Sequence, residues 1–126
     1  MTPLQKSLLS ATAGALAYGT WAYWVNMADG PSMAMRTGIV QGSFSFVITL
    51  TMSFMLEGLF RAFGRHIAAA AGALAIVSAF LFCAAYAAQW AAGSQMILMT
   101  ILPGYLIGTA YGAAYLWSAL REQPRS

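Results

Sequence analysis

Charge is what this chain has least of. It carries six Lys or Arg and three Asp or Glu among 126 residues, which is 7%. A soluble domain carries about 25%, so these few charges cannot cover a globule in water. With 60% hydrophobic residues and a mean hydropathy of +0.69, the missing polar surface is replaced by lipid. Cysteine and histidine occur once each. That excludes an internal disulfide and a zinc site within the chain. No glycine-rich phosphate loop or nucleotide fingerprint occurs. The expectation is a single membrane domain over 1–126 that is not an enzyme. It holds no cofactor or metal and binds no nucleic acid, despite a pI near 9.4.

What is present is long charge-free sequence. Charges fall only at Lys6, Asp29, Arg36, Glu57, Arg61, Arg65, Arg121, Glu122 and Arg125. Residues 7–28 and 37–56 are therefore free of charge, and so is the much longer run 67–120. A crossing takes about 20 apolar residues, whereas the last run would measure about 80 Å as one helix. It must fold back, and its most polar interval, 89–95, is the turn. The fold class is all-α, a polytopic four-transmembrane-helix bundle with helices near 7–27, 34–61, 66–90 and 94–120. Lys6 and the following apolar run with Ala15-Leu16-Ala17 have the outline of a cleavable signal. The apolar run continues to Val25, so a retained first helix is expected.

Four crossings put both termini and the 61–66 connection on one side. That side gathers Lys6, Arg61, Arg65, Arg121 and Arg125, leaving Arg36 alone opposite, near Asp29. Basic flanks stay in the cytoplasm, so both termini are expected to be cytoplasmic, in a bacterial inner membrane. His66 lies on the same side and Asp29 on the other, which removes a Ser-His-Asp triad. Trp21, Tyr23, Trp24, Trp90 and Trp117 read as interfacial belts. Cys83 reads as a small packing residue, and the methionines clustered near the outer end read as gap fillers.

Between helices in lipid, close packing and hydrogen bonds replace the hydrophobic drive. Small residues recur every four positions: Ala11, Ala15 and Gly19; Gly38 and Gly42; Ala71, Ala75 and Ala79; Gly104, Gly108 and Gly112. That is more than a lone bundle needs, and a homo-oligomer is the expectation. Pro103 removes one backbone hydrogen bond from the last helix.

The second helix carries the most information. Thr37, Gln41, Ser45, Thr49, Ser53 and Glu57 form an unbroken row at a spacing of four. Each step overshoots a helical turn by about 40°, so the row winds around the helix. It is either a hydrogen-bonding seam to neighbouring helices or the polar wall of a substrate path from Arg36 to Glu57. Glu57 and Arg61 are spaced for an ion pair at the inner boundary. Arg36 pairs with Asp29 or a lipid phosphate, or draws an anionic substrate to the mouth of the row.

Size and helix count are similar to those of small multidrug exporters, which use a buried Glu in their first helix. Residues 7–27 contain no such group. Size and topology are also similar to the small four-helix family linked to polyprenyl-phosphate-sugar translocation, a likeness of architecture alone. The leading expectation is a small inner-membrane transporter or flippase-like oligomer whose second helix lines a polar path among membrane lipids. The alternative is an accessory subunit of a larger membrane protein, with the row as a partner-facing seam. An ion channel is the third reading.

Overall fold

A computed structural model of the chain describes residues 2–122. Arg125 lies outside the described residues. Helix α1 (Pro3–Val25) begins at a capping box. The Thr2 hydroxyl accepts from Gln5 N at 3.1 Å, and the Gln5 side chain accepts from Thr2 N at 2.9 Å. Pro3 fills the first position, where a missing N–H costs nothing. A single 3-10 turn, Met27–Asp29, leads to Gly30, whose φ of 102° aims the chain into α2 (Pro31–Ala62). At 32 residues, α2 is about 48 Å long. That exceeds the hydrocarbon thickness of about 30 Å, so an end of α2 projects beyond it or the helix tilts.

Two Schellman motifs end the middle helices. Arg65 N donates to Phe60 O and Gly64 N to Arg61 O, closing α2 with Gly64 at φ 104°. Ser94 N donates to Gln89 O and Gly93 N to Trp90 O, closing α3 (Ile67–Ala92) with Gly93 at φ 87°. His66 is the N-cap of α3, its Nδ1 accepting from Ala69 N at 3.1 Å. Helix α4 (Ile97–Arg121) completes the bundle. The observed bounds lie within about four residues of those expected.

Among the described residues three helices, α2, α3 and α4, are long and apolar enough to cross a membrane. This marks an integral membrane protein. Helix α1 has the length, but Ser, Thr, Gly and Tyr dilute its Ala and Leu, and its most apolar stretch falls short of theirs.

The helices run up and down, each packed on the next in sequence. One end of the bundle, the terminal end, holds the start of α1, the end of α4 and the α2–α3 turn. The other, the loop end, holds the α1–α2 and α3–α4 connections. At the terminal end Met52, Leu56 and Phe60 of α2 pack on Ala69, Ala73 and Val77 of α3 and on Leu116 of α4. The tightest seam is α1 on α2. A Cβ at Gly19 would sit 3.0 Å from Gly38 O, and one at Gly42 would sit 3.0 Å from Ala15 O. Three of the four small-residue stripes are thus used inside the chain. The α3 stripe differs: Ala71, Ala75 and Ala79 are exposed, and its buried face is Ala69, Ala73, Val77 and Ala85.

Candidate functional site

The polar row of α2 divides into three environments. At the loop end Thr37 is buried in a polar network that draws on all four helices and the α3–α4 turn. Its hydroxyl donates to Ala34 O and Ala22 O, and its carbonyl accepts from Gln89 Nε2 at 3.2 Å. Gln89 Nε2 also donates to Gln41 Oε1 at 3.1 Å. Beside this pair, Asn26 Nδ2 donates to Ala22 O and to Thr100 Oγ1, both at 2.8 Å, and Asn26 Oδ1 accepts from Ser94 Oγ at 2.8 Å. Asn26, Thr37 and Gln89 are fully buried. A buried polar group without a partner is costly, and shared bonding makes this network a firm closure. Gln89 Oε1 is its one buried acceptor without a partner among the described residues.

Below the network a cavity of about 290 Å³ lies between the helices. Gln41, Ser45 and Thr49 of α2 line it, with Ser10, Gly14 and Tyr18 of α1, Leu81 and Ala85 of α3, and Gly104, Tyr105, Gly108 and Tyr111 of α4. No residue of this wall carries a charge. The α4 glycines shape the space. A Cβ at Gly104 would lie 3.6 Å from Gln41 Nε2, and at Gly108 it would meet nothing within 4 Å. Gly112, one turn further, closes the cavity against Met52 and Leu56.

The third environment is at the terminal end. Ser53 is half-buried between the cavity and this end. Glu57 receives Arg61 at 3.4 Å, Arg65, and the Tyr115 hydroxyl at 3.4 Å. Arg65 also lies over the Phe60 ring, 5.5 Å from its centroid. The anticipated Glu57–Arg61 pair is present, with Arg65 joining it after the left-handed turn at φ 58°. A shallow vestibule lined by Glu57, Arg65, Tyr115 and Glu122 opens here.

Arg36 corrects an expectation. It does not pair with Asp29: among the described residues the ion pairs are Glu57–Arg61 and Glu57–Arg65. Arg36 Nη1 donates instead to Ala92 O at 3.3 Å, a cation on the last carbonyls of α3. Arg36 is exposed and outside the cavity wall.

Sequence reasoning missed the partners of the row. Gln89 stands where the expected third helix, near 66–90, overlaps the expected turn, 89–95, and it sits in the last turn of α3 facing Gln41. Asn26, Ser94 and Thr100 drew no notice, although each is a polar residue bordering an apolar run. Trp21, read as a belt, donates its indole N–H to Met99 O at 2.8 Å. Trp24, Trp90 and Trp117 are exposed, as belt residues should be.

No protein-family model, curated protein or solved structure matches the chain.

Proposed function

We propose that the chain is a small inner-membrane transporter of flippase-like type. All four helices cross, both termini are cytoplasmic, and α2 lines the substrate path in an oligomer. The observation carrying this reading is the cavity. Gln41, Ser45 and Thr49, the middle of the polar row, border a half-open space between the helices, with Gln41 and Ser45 buried and Thr49 exposed at its open side. The network at Thr37 and the packing at Gly112 and Met52 are its gates, and Glu57 marks the far vestibule. Contacts of α1 with α4, Tyr18 on Gly104, Trp21 on Met99 and Asn26 on Thr100, hold the loop end. Toward the terminal end Ser10 and Gly14 stand across from the open position at Gly108, and this seam is the side door to the bilayer.

Transbilayer movement of chain-labelled lipids in proteoliposomes tests the reading. Gln41→Leu, Ser45→Ala and Thr49→Val combined should abolish flux while the protein assembles as before. Undiminished flux in that variant removes the path.

The accessory-subunit reading has one observation in its favour, the small-residue face of α3, Ala71, Ala75 and Ala79, which no described residue covers. Purification in mild detergent separates the two: a subunit brings down a larger partner, and the transporter elutes as copies of itself.

A further inference from the structure

We propose that the cavity receives the uncharged polar headgroup of a lipid, of the size and chemistry of a single hexose. This rests on reading the cavity as the substrate path and names what travels in it. Gln41 is 2% exposed. Its Oε1 is taken by Gln89, while its Nε2 faces Gly104 and finds no acceptor in the protein among the described residues. The donor opens onto the cavity, where a ligand oxygen can meet it. The hydroxyls of Ser45 and Thr49 stand one and two turns along the same wall.

Three features define the headgroup. The wall has no charge, so a phosphate or ammonium placed here would be buried without a counter-ion, which low-polarity surroundings forbid. Tyr18, Tyr105 and Tyr111 supply ring surfaces. Most of the wall is apolar, with Phe44, Ile48, Ile101 and Ile107 part of it, and a pyranose would turn its C–H faces to these and to the rings and its hydroxyls to Gln41, Ser45 and Thr49. The volume of about 290 Å³ lies at the lower limit of small-molecule pockets, roughly 300 Å³. It holds one sugar, not a whole lipid, so the acyl chains must leave through the α1–α4 seam.

Native mass spectrometry of the purified full chain provides the test, with glucosyl-dioleoylglycerol, dioleoylglycerol and dioleoyl-phosphatidylglycerol as probes. The glucosyl lipid should be retained at one per chain, and in preference to both others. Gln41→Leu should weaken retention about fivefold, the loss of one hydrogen bond. Gly108→Leu should abolish it by filling the cavity, while Gly58→Leu, at an exposed glycine with equally open surroundings, should leave it unchanged. Preference for phosphatidylglycerol overturns the uncharged class, and equal retention of dioleoylglycerol overturns the sugar. Retention by Gly108→Leu equal to wild type overturns the location. Should Gly108→Leu fail to fold, the order of the three lipids on wild type still decides. Binding is read without flux, so this inference and the transport reading can fail separately.

Discussion

Pro103 and Trp21 show how one residue's deficit fixes another's position. Proline has no N–H, so the Met99 carbonyl four residues earlier loses its helical donor. The Trp21 indole supplies one from α1. Trp21→Phe keeps the ring and removes the donor, and should cost about 1 kcal/mol. In a Pro103→Ala background the helix satisfies Met99 itself, and the same change should cost much less. A double-mutant cycle by reversible unfolding in micelles measures the difference. Equal costs in the two backgrounds would show that the indole bond is incidental. Gln89 makes a similar point in the network. Its amide gives protons to both Thr37 O and Gln41 Oε1, and that commitment leaves the Gln41 amide free to face the cavity.

At the scale of the helix, the glycines of α2 and α4 look alike in sequence and behave differently in space. A Cβ at Gly42 meets the Ala15 carbonyl at 3.0 Å, so α1 and α2 would have to separate. A Cβ at Gly112 meets Met52 Cε at 2.8 Å, the tip of a flexible side chain that can turn away. Alanine also gains about 1 kcal/mol of helix propensity over glycine. Gly112→Ala should therefore be near neutral and Gly42→Ala destabilising by about 1–3 kcal/mol, as thermal unfolding in detergent would show. The reverse order would mean that the α1–α2 seam is looser than its geometry.

The helices themselves were legible because lipid demands unbroken apolar length. Their ends were less so. Charges delimit the apolar runs, whereas Thr2-Pro3, Gly30-Pro31, Gly64 and Gly93 set the helix ends through capping and positive φ. The polar row was legible as a row. Its division into network, cavity and vestibule was not, because a 40° drift per step turns successive residues toward different neighbours. Which neighbour waits at each angle depends on Gln89, Gly104 and Glu57's cations, all distant in sequence.

For the molecule as a whole, the decisive element is α1, whose most apolar stretch falls short of those in the other three helices. Its small residues face the partner helix, whereas Ser7, Ser10, Thr12 and Thr20 are exposed. Gly14 lies against Thr49, Ala15 against Gly42, Gly19 against Gly38, and Ala22 against Thr37. That is an antiparallel seam running along much of the partner helix. In the arrangement we propose, α2 carries α1 across with it, held by this small-residue seam. The basic residues Lys6, Arg61, Arg65 and Arg121 all lie at the terminal end, and the orientation we propose, with that end cytoplasmic, follows from the positive-inside rule. With Cys83→Ala as background, Asp29→Cys and Thr2→Cys place single thiols at opposite ends of α1, both at exposed positions. In intact cells a membrane-impermeant maleimide should label residue 29 at once and residue 2 only after permeabilisation. Labelling of both without permeabilisation would mean that α1 rests on the surface instead of spanning. Labelling of residue 2 alone would keep the span and invert the orientation, placing the Glu57 vestibule outside the cell.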